Sequence, residues 1–238
     1  MFLLPSPRWA VFALLLAPGC ASAQAPAGEV RPPGPAPGLF VGFRAGYSNY
    51  TITGTEVDLH TQPGFDQLVR VPGVSVAAVV RQRLYQPLAA QAELCYVRQG
   101  GDFTRRAFPG KTDYTVDCLQ VPLLLDLRLG GATGPALHLQ AGPAFVAVFG
   151  DVRPDASSFA PGNRFNNPTT WWAQAYGAEL AWARAQRVYT LTARFTQDLT
   201  DYYQRDYAGT PYHARSHGYS LTAGVLFAPK PAHSVVRQ

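Results

Sequence analysis

Three sets of residues in this chain carry side chains that could do chemistry. Arg44, Arg81, Glu93, Asp126, Arg128, His138, Glu179 and Arg194 are ionisable, of mixed sign, and fall on one face of alternating segments. Opposite charges sharing a face point to ion pairing in a confined space. Cys95 and Cys118 flank a long connection, a spacing that could close a disulfide. His213, Ser216 and His217 supply the raw parts of a base and a nucleophile. What each set can do depends on the elements that hold it.

Those elements alternate with period two. Leu137-His138-Leu139-Gln140-Ala141 and Tyr189-Thr190-Leu191-Thr192-Ala193-Arg194-Phe195 put apolar residues on one face and polar residues on the other. Eight such segments are predicted, at 39–52, 70–83, 88–99, 114–129, 136–149, 170–183, 187–199 and 215–228. Short links at Leu84–Pro87, Gly130–Pro135 and Arg184–Gln186 alternate with four long ones. Short turns on one side and long loops on the other are the pattern of an outer-membrane barrel, with both termini in the periplasm. A soluble β-sandwich would mix connection lengths without regard to side.

The direction of each face follows from length and residue type. Soluble strands run to about 5–6 residues, whereas a membrane strand needs about 9–11 in the hydrocarbon. The longer segments here therefore put Leu119, Leu123, Leu125, Leu139 and Leu221 against lipid, and Gln120, Asp126, Gln140 and Thr222 inside. Tyr47, Trp171, Trp172, Trp182, Tyr202, Tyr203 and Tyr219 gather near strand ends and are expected to form interfacial girdles. Pro122 and Pro143 fall inside strands and predict local bulges, since a closed barrel has no edge to accommodate them.

Composition agrees and excludes other classes. The chain has 238 residues, room for one barrel, and no apolar run approaches the length a membrane helix needs. Trp9–Ala17, ahead of Ala21-Ser22-Ala23, reads as a signal peptide spanning residues 1–23. A lipoprotein role for Cys20 is the rival reading, against which stands the poor match of Ala17-Pro18-Gly19. Residues 24–38 hold five prolines and three glycines and form a periplasmic linker. Residues 39–228 are the barrel and 229–238 a periplasmic tail. The net charge of +5 comes from scattered basic residues, only two of them lysine, so no nucleic-acid footprint exists.

Laid out as strands, several segments are familiar. Ala92-Glu93-Leu94-Cys95-Tyr96-Val97-Arg98-Gln99-Gly100 resembles the PELLYSQKG-type third strand of the PorT-like outer-membrane β-barrel family. Leu119-Gln120-Val121-Pro122-Leu123-Leu124-Leu125 resembles its LEIPLLLK strand, and Ala141-Gly142-Pro143 its AGP strand. Gly42–Gly46, Asp198–Asp201 and Gly224–Phe227 match more loosely, while Arg98-Gln99 and Asp126 depart from the pattern. The resemblance implies an all-β, eight-stranded antiparallel transmembrane barrel over residues 39–228. It transfers no catalytic residues.

Within such a barrel the interior is just wide enough for side chains to fill. The eight inward ionisable residues are expected to pair into a polar plug, with a narrow ion path as the alternative. Hairpin register sets Glu179 opposite Thr192, with Arg194 one diagonal step away. The same reasoning sets Cys95 opposite Cys118 and predicts a cross-strand disulfide, the alternative being two buried free thiols. His213, Ser216 and His217 fall in a polar loop with no orienting carboxylate or oxyanion hole, a poor basis for catalysis. Neither a metal-ligand spacing nor a phosphate-cradling glycine loop occurs, so no cofactor is expected. The expected role is a non-enzymatic outer-membrane component, with Phe103, Phe108, Phe159, Phe165 and Tyr207 of the long loops as contact surface for another envelope or extracellular protein. A lipid-modifying enzyme and a small-solute pore are the alternatives.

Overall fold

The computed structural model describes residues 38–60, 67–104, 111–113, 115–130, 134–149, 164–165, 169–184, 187–201, 203–207 and 210–228. The expected signal peptide, residues 24–37 of the linker and the tail lie outside the described residues, as do Phe108 and Phe159.

In chain order the elements begin with β1 (Leu39–Thr53), α1 (Thr55–His60), β2 (Gln67–Tyr85), β3 (Leu88–Gln99), β4 (Gly101–Thr104), β5 (Lys111–Asp113) and β6 (Val116–Leu129). They continue with β7 (Ala136–Phe149), β8 (Arg164–Phe165), β9 (Thr170–Arg184), β10 (Arg187–Asp198), β11 (Tyr203–Tyr207) and β12 (Thr210–Phe227). Antiparallel neighbours run β2-β3-β6-β7-β9-β10-β12. β1 pairs with both β2 and β12, which closes an eight-stranded ring. The remaining short strands extend the wall beyond the ring at its loop end, β4 on β2 and β11 on β12.

The eight predicted strands are present, with two notable shifts. β12 starts at Thr210 rather than residue 215, so His213 and Ala214 belong to a strand and not to a loop. α1 was not anticipated. Its start docks on β12, where Thr55 Oγ1 accepts from the His213 backbone N–H at 3.0 Å.

Faces follow the alternation. Around the outside, Phe43, Val74, Leu94, Leu123, Leu125, Trp172, Leu180, Leu191 and Leu221 are all exposed, Val74 at 61% and Phe43 at 59%. Inside, Arg44, Glu93, Asp126, Gln140, Glu179 and Thr192 are buried. Soluble monomers rarely expose a contiguous apolar patch beyond a few hundred Å², so a belt of this kind requires lipid. Trp171 corrects the girdle expectation. It points inward at 3% exposure, while its neighbour Trp172 faces out.

The expected bulges at Pro122 and Pro143 do not form. β6 and β7 keep one register on both sides, from Pro122 opposite Ala144 to Leu125 opposite Ala141. The ladder simply opens between those pairs. Each proline lacks a donor. The loss at Pro122 falls in the β3–β6 ladder, which opens between the Ala92/Leu123 and Cys95/Gln120 pairs. The loss at Pro143 falls opposite Leu123 in the β6–β7 window. Gly142 makes that window possible: a Cβ there would sit 1.9 Å from the Leu123 carbonyl oxygen. The register shift that does occur lies elsewhere, between Arg83 and Tyr85 beside the β2–β3 turn.

The bore divides into layers. At the loop end Tyr50, Ile52, Val97, Cys118, Val146 and Trp171 form an apolar cluster, with Val57 of α1 packed into it. Ionisable side chains fill the level below. The turn end opens into a cavity of about 550 Å³.

Candidate functional site

The middle of the bore is an ionic network built from strands on all sides. Arg194 of β10 makes a bidentate pair with Glu93 of β3, at 2.6 and 2.7 Å. Those two strands stand four places apart in a ring of eight, so the pair crosses the full diameter. Arg81 of β2 reaches Glu179 of β9 across a second diameter. Arg44 of β1 joins the two, at 3.1 Å from Glu179 and 3.4 Å from Glu93. Gly224 faces Arg44 across the β1–β12 pair, and a Cβ there would come within 2.7 Å of the Arg44 Cβ.

The network continues towards the turn end. Asp126 lies 2.6 Å from His138 Nδ1 and 3.4 Å from Arg81. Gln140 donates to Asp126 at 3.0 Å and to Glu179 at 3.3 Å, and accepts from Arg194 at 3.0 Å. Gln91 accepts from Arg81 and donates to Glu93. Thr192 donates to Glu179 at 3.1 Å while accepting from Arg44 at 3.0 Å. Three arginines thus face three carboxylates whose side chains are fully buried. Buried charge persists where it is paired and its remaining lone pairs are satisfied.

Seven of the eight ionisable residues singled out from sequence therefore meet in one network. Arg128 faces the same interior but lines the cavity at the turn end. The β9–β10 register does place Glu179 opposite Thr192. The diagonal partner differs, however: Arg194 crosses to Glu93, and Glu179 takes arginines from β1 and β2. Hairpin neighbours were legible, but the cross-bore partners depend on how the ring closes. Gln91 and Gln140, whose amides bridge the carboxylates, carry no charge that would single them out in the sequence.

The disulfide expectation is corrected. β3 and β6 pair two residues out of the assumed register, with Cys95 opposite Gln120 and Val97 opposite Cys118. Both cysteines are free and buried. The Cys95 thiol donates to Glu93 at 3.3 Å, and the Cys118 thiol to the Val116 carbonyl at 3.9 Å. Simple hairpin register does not carry across this loop, because the β3–β6 connection itself carries β4 and β5.

The remaining constellation separates. Ser216 is buried inside, its hydroxyl donating to the Thr51 carbonyl at 3.4 Å. His217 lies on the opposite face of β12 against the Phe195 ring, at 6.2 Å between centroids. The wall stands between nucleophile and base. His213 instead holds α1, its Nδ1 being 3.3 Å from Thr55 Oγ1.

A closed eight-stranded ring, apolar outside and ionic within, defines an outer-membrane β-barrel protein. Sequence comparison agrees, because residues 31–228 match the model of the outer membrane protein beta-barrel domain, and the chain belongs to that family. No curated protein sequence matches the chain. Among solved structures, the outer membrane protein OprG from Pseudomonas aeruginosa is similar at a TM-score of 0.54 and 11% identity, over 81% of this chain and 97% of that one. Neisserial surface protein A is similar at a TM-score of 0.45 and 12% identity, over 80% and 97% of the two chains. Identities this low speak for the fold alone. Localisation in the outer membrane of a Gram-negative-type cell follows from family and fold together, and membrane lipid is the partner of the apolar belt.

Proposed function

We propose that this protein is a sealed, non-enzymatic outer-membrane barrel whose long loops serve as a platform for another envelope or extracellular protein. The observation that carries the reading is the pair of ion bridges, Arg194–Glu93 and Arg81–Glu179, spanning the bore on two diameters. Side chains locked across the full width obstruct the bore at that level, and the apolar cluster above adds a second stopper. A pore would need its interior polar and open. Placing Ser216 and His217 on opposite faces removes the best nucleophile–base pair, which weighs against lipid hydrolysis.

Function then passes to what the scaffold displays, as loops on a rigid frame usually carry it. Phe103, Phe165 and Tyr207 belong to short strands at the loop end. The segments that resemble the PorT-like pattern, around Pro122 and Pro143, support placing the chain near that branch of the family. The processing scheme is of a piece with this reading: signal peptide 1–23 removed, linker 24–38 and tail 229–238 in the periplasm.

The test is cross-linking on intact cells. Deleting 105–110 and 151–163 is expected to abolish a specific cross-linked species while the barrel still inserts. Persistence of the same species after both deletions contradicts the platform. Turnover of labelled lipid A that is lost on Ser216→Ala would establish the enzyme instead.

A further inference from the structure

The lipid-facing residues of the β9–β10 hairpin change character in three steps towards its turn. Leu180 and Leu191, opposite each other in register, belong to the exposed apolar belt. Two residues nearer the turn, Trp182 and Tyr189 face each other with their rings stacked, 6.1 Å between centroids. Two residues further, Arg184 stands directly opposite Arg187, and both are exposed. Aliphatic, aromatic and cationic pairs thus follow in order on one outer face, the order a membrane calls for from its core to its headgroups. Short turns face the periplasm in this class, so the two arginines stand at the headgroups of the periplasmic leaflet.

The protein supplies nothing nearby to balance this pair. Like charges directly opposite on neighbouring strands are unfavourable. Arg187 lies over the Phe227 ring at 5.8 Å, a contact that orients a guanidinium without neutralising it. Residues 83–92, 127–137 and 180–190, which hold the three short turns and the strand ends beside them, include no aspartate or glutamate. Neither Arg184 nor Arg187 has an ion-pair partner among the described residues. At the loop end, by contrast, two exposed arginines carry carboxylates of their own, Arg98 with Asp117 at 3.9 Å and Arg215 with Asp201 at 2.7 Å. An acid missing at the turn end is one the leaflet can provide, because a phosphodiester offers its two unesterified oxygens to two forked donors.

We propose that the β9–β10 hairpin binds an anionic phospholipid of the periplasmic leaflet, its phosphate bridging Arg184 and Arg187 and its glycerol end resting on Trp182, Tyr189 and Phe227. A net negative headgroup is preferred over a zwitterionic one, since two guanidinia without an acid attract the whole charge of the headgroup. The site is independent of the loop platform and of the sealed bore, so either reading can fail alone. The test uses the full-length barrel in phosphatidylcholine nanodiscs, into which phosphatidylglycerol is introduced stepwise while amide and indole resonances are followed. Inorganic phosphate, added to discs of phosphatidylcholine alone, separates a lipid headgroup from the free anion.

The Trp182 indole and the residue-187 amide are expected to shift along a curve that saturates at a small share of phosphatidylglycerol. The Arg184→Gln/Arg187→Gln variant is expected to need about tenfold more of that lipid for half-saturation, as the loss of two surface cations implies. Shifts that grow linearly without saturating, or a double variant that saturates as the wild type does, overturn the proposal. Arg98→Gln, which removes a paired arginine at the other end, is expected to leave the curve in place. An equal displacement by that variant overturns a local site in favour of general surface charge. Free phosphate is expected to produce no saturating shift at these resonances, and the same shifts from it overturn lipid as the ligand. Should the double variant fail to fold, salt decides on the wild-type protein. Preference for phosphatidylglycerol that does not weaken when ionic strength is raised about tenfold contradicts an arginine-held headgroup.

Discussion

Arg194 and Glu93 illustrate what single residues contribute. Each is buried, and their bidentate contact spans the bore. Removing Arg194 leaves Glu93 with Arg44 as its remaining cation in the network, at 3.4 Å. Arg194→Ala is therefore expected to cost about 3–5 kcal/mol, the usual penalty for breaking a buried pair. Arg194→Ala/Glu93→Ala should cost less than the two single changes added together, which urea titration of barrels folded into vesicles would measure. Additivity would mean the two do not interact. The thiols give a second residue-level test. Cys95 and Cys118 are buried and free, so protein prepared without residues 1–23, which hold the third cysteine, Cys20, and purified without reductant should release no thiol to a colorimetric reagent while folded and two per chain once unfolded. One or none after unfolding would restore the disulfide. Which ionisable residues turn inward was readable from period two together with strand length and residue type. Their partners were not, because a diametric contact joins strands from distant parts of the chain.

β6 and β7 carry the lesson about whole elements. Pro143 and Gly142 share an opening of the β6–β7 ladder, while Pro122 sits in an opening of the β3–β6 ladder. In the sequence each proline argues for a bulge; in the barrel each removes a donor from a different ladder and leaves register untouched. Gly142→Val is expected to destabilise the barrel by about 1–3 kcal/mol through overpacking, measurable in the same urea titration, since the added atoms meet the Leu123 carbonyl. Equal stability would show that the opening has slack. Like the short strands β4, β5, β8 and β11, α1 escaped sequence reading. Its six residues are too few for a helical period to show, and its anchor, His213, lies far along the chain. Thr55→Ala should speed hydrogen exchange at the His213 amide while exchange at Ala173, in the apolar cluster, stays slow. No change at His213 would mean that the Thr55 bond does not hold α1 to the wall.

For the whole molecule, alternation and connection lengths were enough to establish an eight-stranded barrel with lipid outside. Eight segments of the right period, linked alternately by short and long connections, admit few other solutions. What they did not reveal is that the bore is layered. Residues such as Ile52, Val97, Val146 and Trp171 occupy inward positions near the loops, where a polar lumen was expected. Alternation hides this layer, because inward apolar residues at strand ends blend with outward ones. The layer matters because it sits directly above the ion bridges, so a solute entering from outside meets an apolar stopper and then a charged one. Single-channel recording of the purified barrel in planar bilayers tests this sealing most directly. The expected trace is a flat baseline for the wild-type protein at any applied voltage the bilayer survives. Steady, reproducible open conductance from the intact wild-type barrel would contradict it.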